Sequence, residues 1–197
     1  MSYRIKKLSI DETELIYREH LFRHFPAKEV KPLKHIRRMW NEGAYRALGF
    51  YDDDHLVGYA FFALGRNSSM VLLDYYAILE DYRGKGVGGK FLTSLWEHFQ
   101  NFDGMLIETE DVDFAQNEEQ VRERVYRDGF YERKGVLATD ITCEVYGVHY
   151  RVWQLPFKRS GCSTEQCLEC LINIYKVMVP GEKYENNVRI RLRNQIV

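Results

Sequence analysis

The chain carries almost no net charge, −1 at neutral pH over 197 residues. Nothing in its bulk electrostatics therefore draws it to nucleic acid or to an anionic membrane. It also lacks a long hydrophobic run. No segment approaches the roughly 20 apolar residues of a membrane span, and the opening Met1-Ser2-Tyr3-Arg4-Ile5-Lys6-Lys7 has no apolar signal core. A cytoplasmic protein with neither nucleic-acid nor membrane partners is the expectation. Cysteine is scarce, with 4 in all. Cys162-x4-Cys167-x2-Cys170 copies the opening spacing of plant-type iron–sulfur ligation, but no fourth cysteine follows it. Cys167, Cys170, Leu171, Ile174 and Tyr175 read instead as the apolar stripe of a helix, so buried reduced thiols and no metal are expected. Internal repeats and low-complexity segments are missing too. What remains is an ordinary globular composition, 45% hydrophobic and 29% charged, in a chain about one domain long with room for an appendage.

What is present is concentrated between Met70 and Phe102. Val71, Leu72, Leu73, Tyr75, Tyr76, Ala77 and Ile78 form a nearly continuous apolar and aromatic run, which suits a strand buried on both faces. Glu80-Asp81-Tyr82-Arg83-Gly84-Lys85-Gly86-Val87-Gly88-Gly89-Lys90 then supplies four glycines in six residues, flanked by three cations. From Val87 onward, Phe91, Leu92, Leu95, Trp96 and Phe99 recur at three- and four-residue spacing, so the glycines open a helix. A helix start leaves backbone N–H groups without intrahelical partners and carries the positive end of the macrodipole. Glycine lets an anion approach that backbone closely, and Arg83, Lys85 and Lys90 add charge at the same place. The stretch is built for phosphate.

Two phosphate motifs compete for it. Gly84-x-Gly86-x-x-Gly89 matches the dinucleotide fingerprint, with Glu108 at about the right distance to bind a ribose hydroxyl. Against that reading, Glu80 to Arg83 separate strand from glycines, and the further strand-helix units of such a fold are lacking. A Walker A loop fails sooner, because Gly89-Lys90 is followed by Phe91 and not by a hydroxyl. Arg83-x-x-Gly86-x-Gly88, preceded by Ile78-Leu79-Glu80-Asp81-Tyr82, resembles the acyl-CoA pyrophosphate loop of the GNAT superfamily of N-acetyltransferases. The resemblance implies that the backbone from Gly84 to Gly89, including Lys85 and Val87, holds the pyrophosphate of acetyl-CoA. It also implies that Arg83 and Lys90 flank that site, and that the strand end at Ala77, Ile78 and Leu79 pairs with pantetheine.

The rest of the chain fits the same order. A first strand is read from Arg4 to Ser9, and a helix from Asp11 to Phe25 with Leu15, Leu21, Phe22 and Phe25 among its apolar positions. A second helix runs from Pro32 to Trp40. In the resemblance this helical pair borders the acceptor site. Strands follow at Tyr45 to Tyr51 and His55 to Leu64, joined by Asp52-Asp53-Asp54. Met105 to Asp111 is a strand, Glu118 to Lys134 a helix, and Val136 to Thr139 and Tyr146 to Leu155 are closing strands. The expected fold is a mixed α/β, GNAT-like core over residues 1–156 with a largely antiparallel central sheet flanked by helices. Residues 157–197 form an extension: a linker across Phe157 to Ser163, a capped helix from Thr164 to Val179, and an alternating strand from Val188 to Arg193. Three roles are open to the extension: covering the core, pairing with another subunit in a homodimer, or closing the acceptor pocket; the sequence does not choose among them.

Catalysis has two candidates. Glu108 is a carboxylate on an interior strand, costly there unless paired or wetted, and is the leading general base; Asp74 and Glu110 are rivals. Phe130-Tyr131-Glu132-Arg133-Lys134-Gly135 resembles the superfamily's Phe-Tyr-Glu-Arg/Lys-x-Gly segment, in which the tyrosine protonates the departing CoA thiolate. That role falls on Tyr131, although Val136 stands where Phe is usual. Tyr126, ahead of Gly129-Phe130, is a competing register. Charge is uneven as well. Asp103 to Glu119 holds seven acids and no cation, and the stretch from Glu108 to Glu119 favours a cationic acceptor such as a polyamine, an aminoglycoside or a lysine side chain. The expected activity is acetyl transfer from acetyl-CoA to an amine of a small molecule or peptide. The alternatives are a non-catalytic acyl-CoA sensor and a nicotinamide-dependent oxidoreductase.

Overall fold

A computed structural model describes residues 3–158 and 161–193. Part of the linker read across Phe157 to Ser163, and the Met1-Ser2 start, lie outside the described residues. The strands are β1 (Tyr3–Lys7), β2 (Tyr45–Asp52), β3 (His55–Leu64), β4 (Met70–Ile78), β5 (Gly104–Glu110), β6 (Leu137–Val145), β7 (Val148–Pro156) and β8 (Val188–Leu192). The helices are α1 (Ile10–Ile16), α2 (Phe22–His24), α3 (Leu33–Asn41), α4 (Val87–Ser94), α5 (Glu118–Glu132), α6 (Thr164–Met178) and α7 (Glu182–Asn187). Strand order is β1-β2-β3-β4-β5-β7-β6-β8, and the pairs β1–β2, β2–β3, β5–β7, β6–β7 and β6–β8 are antiparallel. This is the mixed α/β, largely antiparallel architecture expected. No helix among the described residues is long and apolar enough to cross a membrane.

The chain clusters into two compact units. One comprises the chain up to Leu64 with Leu73–Leu95; the other comprises Gly65–Leu72 with the chain from Trp96 onward.

In the first unit, β2 and β3 turn over Asp53 and Asp54, with Asp53 at φ 51°, and Arg4 of β1 donates to the Asp53 carbonyl and the Asp54 carboxylate. Ser9 starts α1 with a capping box: its hydroxyl accepts from the Glu12 N–H, and the Glu12 carboxylate accepts from the Ser9 N–H. The helix does not run evenly to Phe25. Tyr17–Leu21 forms a π-helical turn between α1 and α2, which rotates the following face, and Phe22 ends 53% exposed although periodicity placed it inward. Phe25 is extended, as the residue before Pro26 must be.

α4 is fixed to the strands by aromatic rings. Phe91 lies in a stack between Phe50 of β2, at 4.6 Å and 9°, and Tyr76 of β4, at 5.3 Å and 28°. The Tyr76 hydroxyl donates to the Gly88 carbonyl at 2.5 Å, which ties the helix start to β4. Gly58 permits a close approach, since a Cβ there would sit 2.7 Å from Ile78 Cδ1 and 2.9 Å from the Ala77 carbonyl.

In the second unit, β6 spans nine residues where sequence periodicity predicts four. Its register shifts between Ala138 and Thr142 as it pairs with β7, and this irregularity breaks the alternation that would have marked the strand. α6 begins at Ser163 with a second capping box to Gln166 and buries Cys167, Cys170, Leu171 and Ile174. The short helix α7 was not expected, its sequence Glu-Lys-Tyr-Glu-Asn-Asn being polar throughout. β8 then pairs with β6, Val188 buried and Arg189 and Arg191 exposed, so the extension completes the sheet of this unit.

Phe91→Ala removes the middle ring of the stack and should cost about 3–5 kcal/mol, measured by denaturant unfolding. A loss below about 1 kcal/mol would mean that the stack does not hold α4.

Candidate functional site

The glycine loop belongs entirely to the first unit. Leu79 still pairs as strand, its N–H donating to the Val57 carbonyl at 3.0 Å. Glu80–Tyr82 makes one 3₁₀ turn, and the Arg83 N–H returns to the Glu80 carbonyl. Gly84 and Gly86 have φ of 73° and 75°, a region that L side chains rarely adopt, and nothing lies within 4 Å of a Cβ added at either. Backbone conformation, not space, requires glycine at both. Gly86 caps α4 without a side-chain bond, and its carbonyl accepts from the Lys90 N–H at 3.2 Å. The amides just ahead of Lys90 are those a helix start leaves open.

The three cations are placed by the same turns. Arg83 Nε donates to the Ile78 carbonyl at 2.9 Å, so its guanidinium folds back to the end of β4. Lys85 Nζ donates to the Asp81 carbonyl at 2.7 Å, over the Tyr82 ring. Lys90 lies over the ring of Tyr3. The structure thus gathers Ala77, Ile78, Leu79 and Arg83 to Lys90 at one strand end and one helix start. Among the described residues no group of three or more His, Cys, Asp or Glu could hold a metal ion.

Glu108 and Tyr131 belong to the second unit. Tyr131 is 7% exposed, whereas Tyr126 on the same helix is 74% exposed. Tyr131 shares the inward face of α5 with Arg124 and Asp128. Burial pushes its phenol up to about 12, with Asp128 adding to the rise and Arg127 opposing it. Asp128 reaches Thr109 of β5 and lies 3.8 Å from Arg151 of β7, and Trp153 Nε1 donates to the Thr109 hydroxyl at 2.8 Å. α5 therefore covers the face of β5 to which Thr109 points. Its neighbour Glu108 points to the other face. There the Tyr175 hydroxyl of α6 donates to Glu108 Oε2 at 2.7 Å. Burial, then Glu108, raise the Tyr175 phenol and the nearby Cys143 thiol well above their ordinary values. The fold does not bring Glu108 and Tyr131 to one side of this sheet.

The rival carboxylates are engaged as well. In the first unit Asp74 accepts from Lys31 Nζ and from the Tyr45 hydroxyl, each at 2.5 Å. In the second, Glu110 pairs with Arg124 at 2.9 Å and Arg127 at 3.5 Å. Asp111 pairs with Arg151 at 3.0 Å and Asp113 with Arg193 at 2.7 Å. The middle of the acidic run is thus paired with arginines inside its own unit. The arginines that do this come from three distant segments, invisible to a charge count along the chain.

Sequence reasoning passed over a cluster in the first unit: His20, His24 and Tyr59. The His24 Nδ1 and the Tyr59 hydroxyl share a hydrogen bond of 2.9 Å, and the His20 and His24 rings stack. The four-residue spacing of the two histidines on a helix was the available signal.

Residues 12–130 match the sequence model of the acetyltransferase (GNAT) family. The Bacillus subtilis protein YjbC is 29% identical over 112 residues, which are 55% of this chain and 53% of that protein. The chain thus spans about half the length of the curated relative it matches. Among solved structures, the ribosomal-protein-S18-alanine N-acetyltransferase of Escherichia coli superposes with a TM-score of 0.56 at 18% identity, covering 81% of this chain and 97% of that one. The Salmonella typhimurium protein yncA, solved with acetyl-CoA, gives 0.56 at 18% identity, covering 82% and 98%. At such identities these two likenesses establish the fold alone.

Tyr75 and Tyr131 are both pushed up to about 12 by burial. Because the folded values lie above the ordinary phenol value of 10.0, the stabilisation is complete below pH 10 and disappears as pH rises through about 12. Spectrophotometric titration should show Tyr75 and Tyr131 ionising only as the fold opens. Complete, reversible ionisation of all tyrosines near pH 10 would contradict it.

Proposed function

Since this chain belongs to the acetyltransferase (GNAT) family, we propose that it transfers acetyl from acetyl-CoA directly to an amine of a small molecule or a peptide, as a cytoplasmic enzyme. The observation that carries the donor half is the glycine loop: open amides at the start of α4, two glycines in the left-handed region, and Arg83, Lys85 and Lys90 around them. Pyrophosphate would meet the amides from Gly84 to Gly89. Pantetheine would run along Ala77, Ile78 and Leu79. Arg83 and Lys85 now donate to backbone carbonyls, weak neutral acceptors that a phosphate oxygen outcompetes. Residues 1–156 are the proposed catalytic core and residues 157–197 its extension.

The reaction needs no covalent enzyme intermediate. A neutral amine attacks the thioester carbon, and much of the acceleration comes from holding two reactants in near-attack geometry. Tyr131 is the proposed donor of a proton to the departing thiolate, and a phenol pushed up to about 12 is protonated at neutral pH, the state a donor requires. Glu108 is one proposed acceptor of the amine's proton. Its buried bond from Tyr175 would have to loosen for that, which motivates a second candidate below.

Calorimetric titration with acetyl-CoA, with NADH in parallel, tests the donor assignment. Saturable binding of acetyl-CoA alone is expected, and Gly86→Val should weaken it at least about tenfold by straining the loop backbone. Binding of NADH alone would revive the dinucleotide reading. Once an amine panel yields turnover, Tyr131→Phe should lower kcat by about 10² while acetyl-CoA affinity holds; a change within about twofold across pH would remove Tyr131 from the chemistry.

A further inference from the structure

The first unit contains titratable groups that the loop does not use. The π-helical turn Tyr17–Leu21 brings His20 and His24 into a stack, 5.9 Å between ring centroids and 18° between planes. Turns of this kind recur at functional sites. His24 also stacks on Tyr59 of β3, 5.7 Å away at 18°. Tyr59 is fully buried, on the same face of β3 as Val57 two residues earlier, and the Val57 carbonyl accepts from the Leu79 N–H just beyond the end of β4 at 3.0 Å. His24 is thereby held beside the end of β4, where the glycine loop begins. Arg83 and Glu80 of that loop act on its charge, as do His20 and Arg23 from its own helical segment.

We propose that His24, oriented by Tyr59, takes the proton from the acceptor amine, and that an anion bound at Arg83 makes it more ready to do so. The inference rests on the acetyl-CoA reading above. In the step, the amine nitrogen's lone pair forms the bond to the acetyl carbon, and the carbon–sulfur bond breaks with its electron pair leaving on the CoA sulfur. The surplus N–H proton passes to His24 Nε2, and the thiolate takes its proton from the acid proposed above. Nε2 has its lone pair in the tautomer whose Nδ1–H donates to the Tyr59 oxygen. Tyr59 does not touch substrate; it is a positioning residue.

The electrostatics explain the coupling. Burial lowers the proton affinity of His24 first, Arg83 second and His20 third; Glu80 opposes them and Arg23 adds slightly. Burial likewise lowers His20. Without ligand, His24 is neutral at pH 7 and a weak base. A pyrophosphate beside Arg83 offsets the second cause, so the imidazole value climbs back toward its ordinary 6.5 as the donor binds. Acetyl-CoA binding should then take up a fraction of a proton around and below pH 6.5 and tighten as pH falls through that window.

The test is calorimetry of the full chain with acetyl-CoA in buffers of different ionisation enthalpy, at about pH 6 and about pH 7.5, values that bracket the histidine range. Proton uptake is expected in the wild type at the lower pH and not in His24→Gln. With an amine that turns over, His24→Gln should lower kcat by about 10² and flatten the acid limb of the pH profile. Glu108→Gln should leave that limb in place. Tyr59→Phe should lower kcat more than it moves KM while keeping the proton uptake. Should His24→Gln fail to fold, NMR titration of the wild-type imidazoles decides: the His24 value rises with acetyl-CoA, or the inference is overturned. Binding without proton uptake, or uptake that survives His24→Gln, overturns it and leaves the acetyl-CoA reading intact. No acetyl-CoA binding at all overturns both.

Discussion

The first unit depends on one packing arrangement, the three-ring stack of Phe50, Phe91 and Tyr76. The proposed anion site is made of backbone amides and has no side chain to aim; its direction is that of the helix start. Phe91, four residues into α4, is clamped between a ring of β2 and a ring of β4, and the Tyr76 hydroxyl holds the Gly88 carbonyl. These contacts set where the amides from Gly84 to Gly89 point. Gly58 supports the same end of β4 from β3 by having nothing to put there. Ring stacking over buried aromatic area is worth a few kcal/mol, ample to hold one short helix.

Aromatic hydroxyls hold the segment that joins α2 to α3. The Tyr75 hydroxyl donates to the Glu29 carbonyl and accepts from the Lys31 N–H, and the Tyr17 hydroxyl donates to the Lys31 carbonyl. Asp74 joins the same group through Lys31 and Tyr45. The hydroxyls of Tyr17, Tyr45 and Tyr75 each find a partner on another element, which specifies one arrangement more sharply than apolar packing would. His20 on the π turn and His24 in α2 sit on this scaffold, so their stacking is imposed and not chosen locally.

The second unit is organised by charge pairs. Arg151 reaches Asp111, Asp113 and Asp128, while Arg124 reaches Glu110 and the Asp111 carbonyl. Half-buried pairs of this kind offset their own desolvation and contribute mainly to register. α6 covers the opposite face, where the Tyr175 hydroxyl donates to Glu108 Oε2 and Cys143 lies buried beside them. The carboxylate that looked most like a catalytic base along the chain is also the one the extension covers.

Strands β2 to β5, the helix after the glycines, the cap of α6 and the loop itself were legible along the chain, because each rests on local chemistry. Glycine at positive φ, serine at a helix start and a period of two or three to four residues act within a few neighbours. The length of β6, the outward turn of Phe22 and the helix α7 were not legible, since a register shift, a π turn and a polar surface helix leave no periodic trace. The meaning of the charged residues was decided only in three dimensions. Glu108 and Tyr131 both look reactive in one dimension, yet strand alternation and the placing of α5 and α6 send them to opposite faces. His20, His24, Tyr59 and Arg83 look unrelated, 63 positions apart at the extremes, and the tertiary fold makes them one electrostatic unit. Charge acts through space across a few ångströms, whatever the distance along the chain.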